Sequence, residues 1–229
     1  MLNWWLRYEP FLKELDRSAQ VPTVLDVGSG WYGLSWYWPH PVVQTDLRLT
    51  GAPPAAWRPG TASYVCASAD RLPFATDGFD VVLSSDLMEH LPVDIRVEAV
   101  RELTRVARSA VLLGFPSGRG AAWVDRGYGV FLRLLRRPWP DWLQDHLAQT
   151  TYPSRADVTA AMPVDWEIAE EQSNGNVVAQ LLLVVAEDLP VLRRICGLLE
   201  RRLRDRRVPG WIHLPPVVRV LYVLRPRVG

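Results

Sequence analysis

Five short runs rich in β-branched and apolar residues, TVLDV, PVVQTD, SYVCAS, FDVVLSS and SAVLLGF, end near residues 27, 46, 68, 85 and 115. They are apolar at successive rather than alternate positions. That is the pattern of a strand covered on both faces, and such strands belong to parallel sheets. A parallel sheet needs a crossover between strands. One is plain: in DLMEHLPVDIRVEAVRELTRVA, residues Val93, Val97, Val100, Leu103 and Val106 recur at helical period. The earlier ones are short. Residues 30–42 leave room for two helical turns, and TGAPPAAWRPGT, after the second run, reads as a loop. The prediction is an α/β chain, and 229 residues with 48% hydrophobic content can bury one such core.

On either side of this region the pattern changes. Residues 1–19 place Trp4, Trp5, Tyr8, Phe11, Leu12 and Leu15 at helical spacing, with Pro10 as an interruption. Residues 118–160 are expected to be helical, broken at Gly127, Gly129 and Pro138, with Ser154 capping a further helix. VDWEIAEE alternates like a strand. Residues 177–186 fit either a strand entered at the Asn174-Gly175 turn or the start of a helix; a helix over 177–205 leaves PPVVRVLYVLR to complete the sheet.

The segment VLDVGSGWYG carries the first chemical signal. Gly28, Gly30 and Gly33 match the spacing of a dinucleotide-binding turn, and a strand, glycine turn and helix start make a nucleotide-sized site. Charge separates the candidate ligands. Asp26 repels a pyrophosphate laid over the turn and attracts the ammonium of an amino-acid ligand, which favours S-adenosylmethionine over NAD. Asp46, ending the second run, can accept from two ribose hydroxyls of either.

In order and spacing, VLDVGSG, TDL, ASADRLPFATDGFDVVLSSDLMEHLP and RELTRVARSAVLLGFPSG resemble the class I S-adenosylmethionine-dependent methyltransferases of the small-molecule type, over about residues 20–118. The resemblance implies a single Rossmann-like domain over 1–229. Its seven-stranded sheet would have the order 3-2-1-4-5-7-6 and an antiparallel last strand, with 118–160 and 177–207 as helical insertions over the acceptor side. Gly28, Ser29 and Gly30 would meet the methionine moiety, Asp46 and Leu47 the ribose, and Ser68 and Ala69 the adenine, with Ser85 also at the cofactor. Ser68 departs from the aspartate of many relatives, with Asp70 two residues on. Trp31 and Tyr32 replace small residues, either as packing or as a wall near the sulfonium. With no second crossover helix, the loop 49–60 and its Trp57 would line that edge of the pocket.

Methyl transfer needs a positioned acceptor, and a base only when the nucleophile arrives protonated. His90 and His146 are the candidates, the second within the insertion where such folds bind acceptors. Asp86, Glu89 and His90 also resemble the acidic-x-x-Glu-His cluster that holds a divalent cation in ubiquinone-biosynthesis O-methyltransferases, although the expectation is that no metal is used. The aromatics of 118–160 favour an apolar, sugar-like or lipid-linked small-molecule acceptor, methylated on a hydroxyl oxygen. Two readings compete: a non-catalytic cofactor-binding scaffold, kept by Ser68 and the short crossovers, and an NAD-dependent oxidoreductase, kept only by the glycine spacing.

Residues 191–229 carry ten arginines against Glu200 and Asp205, whereas residues 1–190 are net acidic. An arginine-rich solvated helix face is one account, and contact of Arg193–Arg207 with an anionic membrane surface the other. Nucleic acid is disfavoured as substrate by the acidic body and by SSDL, where base-methylating relatives place an Asn-Pro-Pro-Tyr-like tetrad. Two distant cysteines, no signal-peptide pattern and no membrane-length apolar run point to a cytoplasmic chain.

Overall fold

The computed structural model describes residues 2–49, 62–148, 151–203 and 208–227. Residues 50–60 of the loop expected over 49–60, with Trp57, and Arg204, Arg206 and Arg207, lie outside the described residues. The chain divides into two compact units, a sheet unit (Phe11–Phe115, Ser154–Glu171, Leu221–Gly229) and a helical unit (Met1–Pro10, Pro116–Pro153, Gln172–Val220).

The seven strands are β1 (Val24–Val27), β2 (Val42–Asp46), β3 (Ala62–Cys66), β4 (Phe79–Ser85), β5 (Ala107–Pro116), β6 (Trp166–Asn176) and β7 (Val217–Pro226), in the order 3-2-1-4-5-7-6. β1 to β5 pair in parallel, with Leu25 opposite both Val43 and Val82 and with Val82 opposite Val111. β7 runs the other way. Ser117, after β5, donates to Val218 near the start of β7, and Arg227, past its end, donates to Asp165 before β6. All four residues of β1 are buried, as continuous apolar runs require.

Helix α2 (Val93–Val106) supplies the one full crossover among the first strands, burying Ala99, Val100, Leu103 and Val106. The crossover after β1 is shorter than the two turns expected, a single 3-10 turn at Leu34–Trp36. Within the sheet unit Ser154 accepts from the Asp157 N–H while the Asp157 carboxylate accepts from the Ser154 N–H, a reciprocal cap that starts helix α5 (Arg155–Ala161). Helix α1 (Leu2–Leu15) runs unbroken through Pro10, because Tyr8, Phe11, Leu12 and Leu15 on both sides of it are buried.

The helical unit corrects two expectations. Helix α3 (Gly118–Leu134) continues through Gly127 and Gly129. A Cβ at Gly127 would lie 3.1 Å from Leu181 and one at Gly129 3.5 Å from Trp139, so these glycines admit neighbours rather than end the helix. Helix α4 (Asp141–Ala148) follows the Pro138 break. The helix expected over 177–205 is two helices, α6 (Val177–Asp188) and α7 (Pro190–Leu203). Pro190 forces Leu189 into extended backbone and supplies a first helical residue that needs no N–H. Asn176 caps α6 by accepting from the N–H groups of Val178 and Ala179, which settles 177–186 as helix. No helix among the described residues is long and apolar enough to cross a membrane.

Candidate cofactor and acceptor sites

At the carboxyl ends of β1 and β2 the chain makes a turn that only its own sequence permits. Gly28 and Gly30 have φ of 79° and 53°, the left-handed region that costs other residues a Cβ clash. Gly33 is needed for space: a Cβ there would collide with the Gln44 amide, the Asp26 carboxylate and Ser29. Asp26 is fully buried, and its Oδ2 accepts the Leu34 N–H at 2.7 Å, so its first task is to close the loop. Gln44, also fully buried, accepts from the Ser35 N–H at 3.2 Å. A polar residue in the middle of an apolar strand was the available signal for it, and sequence reasoning passed over it.

Asp46 holds the other side of this turn. Its Oδ2 accepts the Gly30 N–H at 2.9 Å and its Oδ1 the Arg48 N–H at 2.8 Å. Each oxygen keeps a lone pair, so the fixed carboxylate remains able to receive ribose hydroxyls. A Cβ on Gly30 would meet nothing within 4 Å, which leaves the approach to its backbone open. Leu47 is exposed, and Ser29 is buried with its hydroxyl donating to the Gly30 carbonyl. Trp31 packs on Tyr64 of β3 with ring centroids 4.8 Å apart, and the Tyr64 hydroxyl donates to the Trp31 carbonyl, so Trp31 has a packing role.

In the segment after β3 the Ser68 hydroxyl donates to the carboxylate of Asp70, two residues on. This segment is pinned from α2: Glu102 accepts the Leu72 N–H, and Arg105 donates to the carbonyls of Leu72 and Phe74. Arg105 in turn holds the Glu102 carboxyl below its ordinary value, aided by the Leu72 N–H. Ala69 and Leu72 are buried there.

At the end of β4, Ser84 donates from its buried hydroxyl to the Val27 carbonyl, tying the two central strands where the turn begins. Ser85, half-buried, ends the strand. Asp86 has φ of 52°, a strained conformation for a non-glycine residue, and strain of this kind collects at functional sites. A Cβ on Gly28 would lie 2.9 Å from the Leu87 side chain, so Leu87 rests on the glycine turn. Glu89 is buried and His90 exposed on the following 3-10 turn. Among the described residues, Asp86 does not join Glu89 and His90 in a group that could hold an ion. Buried Arg96 fixes this turn by donating from Nε to the carbonyls of Met88 and Leu91, at 2.9 and 3.1 Å. Burial draws its guanidinium below the usual arginine range, against the pull of Asp157 and Glu89. Nothing in the helical pattern of α2 singled Arg96 out.

In the helical unit His146 stands in a built setting. Its Nδ1 lies 2.9 Å from Asp125 Oδ2, both side chains are about nine-tenths buried, and the Tyr152 hydroxyl donates to the same Asp125 oxygen. The Trp142 ring meets the imidazole edge-on with centroids 5.4 Å apart and stacks on Tyr128 at 5.8 Å. Tyr128 donates to Asp188, and its phenol is pushed well up, first by burial and then by that bond. An aspartate on Nδ1 fixes the tautomer with Nδ1 protonated and Nε2 as the basic nitrogen. Asp125 on α3 was missed because it is one acidic residue among many until α4 places His146 beside it.

Residues 25–114 match the methyltransferase domain family. Over residues 25–114 the chain therefore carries a methyltransferase domain, set in the seven-stranded sheet described above. No curated protein matches its sequence. Its fold is similar to a chain from the complex between the Haloferax volcanii Trm112 methyltransferase activator and a methyltransferase (14% identity, TM-score 0.57, covering 99% of this chain and 91% of that one). It is also similar to an S-adenosylmethionine-dependent methyltransferase from Mesorhizobium loti (15%, 0.51, 96% of this chain and 97% of that one). A third neighbour is the [4+2]-cyclase SpnF (15%, 0.55, covering 98% and 81%). The glycine turn with its Asp46 carboxylate fits S-adenosylmethionine, the cofactor named for the Mesorhizobium loti neighbour. In this domain, Gly28 to Gly30 and Asp46 would be the residues to hold the cofactor's amino-acid and ribose parts.

Proposed function

We propose that the protein moves the methyl group of S-adenosylmethionine to a hydroxyl oxygen of a small apolar, sugar-like or lipid-linked molecule in the cytoplasm, with His146 as proton acceptor. The single observation that carries the reading is the buried Asp125–His146 pair with Tyr152 on the same carboxylate. The fold does not choose the reaction, since a cyclase shares it. The choice rests on what the residues can do.

When bound, S-adenosylmethionine supplies a methyl already activated on a sulfonium. The residues then have to orient the acceptor and receive its proton. When the acceptor hydroxyl is methylated, His146 Nε2 would take up its proton. Asp125 stabilises the resulting imidazolium through Nδ1, and Tyr152 holds Asp125 in place. Trp142 and Tyr128 give this histidine an apolar wall, which suits an acceptor with an apolar or sugar face.

The test is methyl transfer from labelled cofactor to a panel of hydroxylated amphiphiles and sugars, with binding of S-adenosylhomocysteine measured by calorimetry beside it. His146→Gln should keep the binding and lose about 10²- to 10⁴-fold in turnover. Undiminished turnover by this variant removes His146 as the base. Tight binding with no turnover of any acceptor by the wild type favours the scaffold reading.

A further inference from the structure

Helix α7 is amphipathic the wrong way round for a lone soluble domain. Val191, Ile195, Leu198 and Leu199 recur at i, i+4, i+7 and i+8, the spacing that normally marks a core-facing stripe. Here the stripe is outside. Val191 is 71% exposed, Leu198 58%, Ile195 46% and Leu199 45%, while the buried row of the helix is Cys196 and Glu200. Arg194 and Arg201, seven residues apart, run along one flank of the stripe.

Helix α3 of the same unit repeats the arrangement. Trp123, Val130 and Leu134 share a face at i, i+7 and i+11 and are 65%, 54% and 78% exposed. Arg126 and Arg133 flank that face. Between these helices in sequence, α6 adds exposed Val178 and Leu182, four residues apart.

The charges choose the occupant. The one carboxylate on α3, Asp125, is buried on His146, and the one on α7, Glu200, is buried as well. Every ionised side chain that α3 and α7 turn to solvent is therefore an arginine. Among the described residues, none of Arg193, Arg194, Arg201 and Arg202 is paired with a carboxylate. Exposed leucine, isoleucine, valine and tryptophan rimmed by unpaired arginines match the boundary between acyl chains and anionic headgroups. No described helix is long enough to span, so these would lie in the plane of the surface.

We propose that the apolar, arginine-rimmed faces of α3 and α7 seat the helical unit on the anionic leaflet of a lipid bilayer. The proposal does not depend on which acceptor is methylated, because the test uses neither cofactor nor acceptor. The full chain is centrifuged with vesicles of phosphatidylcholine alone and of phosphatidylcholine containing phosphatidylglycerol, at low and at high salt. The expected result is at least tenfold stronger partition onto the anionic vesicles, weakened by salt. Ile195→Asp with Leu198→Asp should lose that binding, and Arg194→Gln with Arg201→Gln should lose the preference for anionic lipid, both with unchanged circular dichroism. Because the substituted side chains are exposed, neither variant disturbs the core. Equal recovery of the wild type from both vesicle types, or undiminished binding by the aspartate variant, overturns the proposal. So does a wild-type dimer in sedimentation that the aspartate variant disperses, which would give the face to a second copy of the chain.

Discussion

The two units solve different problems with different parts of the chain. In the sheet unit the candidate cofactor site is made by backbone: two left-handed glycines, a third with no room for a Cβ, and the carboxylates of Asp26 and Asp46 spent on N–H groups of the same turn. In the helical unit the candidate base is made by side chains from α3, α4 and the segment after α4 that meet only in the fold. Backbone sites are local and announce themselves by spacing. Side-chain sites are assembled at long range and do not.

The largest effect that tests this contrast is on turnover. Asp125→Asn keeps the shape but cannot stabilise a protonated His146, so its loss should approach the His146→Gln loss of about 10²- to 10⁴-fold. Nitrogen chemical shifts of the labelled imidazole should show the Nδ1-protonated tautomer in the wild type and a mixture in Asp125→Asn. A purely structural Asp125 would leave those shifts alone while lowering stability, and that pattern would sink its positioning role. The double variant should be scarcely worse than either single one, since the residues act as a unit.

Gly33→Ala is the corresponding break in the backbone site. The new Cβ meets Gln44, Asp26 and Ser29 at once, all of them buried and held by hydrogen bonds, so the turn has no cheap way to yield. A cost of about 1–3 kcal/mol is expected. At this size of domain each kcal/mol moves Tm by about 2–4 °C, and thermal unfolding reads it directly. Gly30→Ala makes a sharper control, since its Cβ meets nothing and only the positive φ opposes it. Equal losses in the two variants would mean that the space at Gly33 is not what matters.

These particulars explain how much could be read before the structure. Buried strands, the α2 crossover and the glycine turn with Asp46 were legible because each depends on residues a few positions apart, whereas the strand order and the antiparallel last strand came only from the family resemblance. The identity of Ser68 gave no sign of its hydrogen bond to the Asp70 carboxylate. Gly127 and Gly129 misled because a glycine that breaks a helix and one that admits a neighbour look alike until Leu181 and Trp139 are in place. The same limit hid Arg96 and Asp125, whose roles are defined by carbonyls and a histidine elsewhere in the chain.

Asp46→Asn comes next in size. The amide can still accept at one atom but presents a donor at the other, so it keeps at most one of the N–H bonds from Gly30 and Arg48 and one ribose contact. Weakening of S-adenosylhomocysteine by about tenfold, equal to about 1.4 kcal/mol, is expected in calorimetry. An unchanged affinity would detach Asp46 from the cofactor and leave it as a turn residue only.

The smallest effect lies at the opposite ends of the same strands and concerns stability alone. Asp80 Oδ2 accepts from both the N–H and the hydroxyl of Thr23, at 2.9 and 2.7 Å, and Arg108 sits on its other oxygen. The Thr23 N–H, then its hydroxyl, then Arg108 hold the carboxyl below its ordinary value. A carboxylate with a lowered folded pKa contributes stability that is complete above its unfolded value, about 3.9, and disappears as pH falls through the folded value. Asp80→Asn should therefore cost about 0.5–1.5 kcal/mol at pH 7, reduced by the partial exposure of the pair, and progressively less below about pH 4. Urea unfolding at pH 7 and pH 3 measures both ends of that window. A gap between wild type and variant that stays constant with pH would mean that the asparagine loses shape rather than charge, and the anchor between β1 and β4 would then be packing.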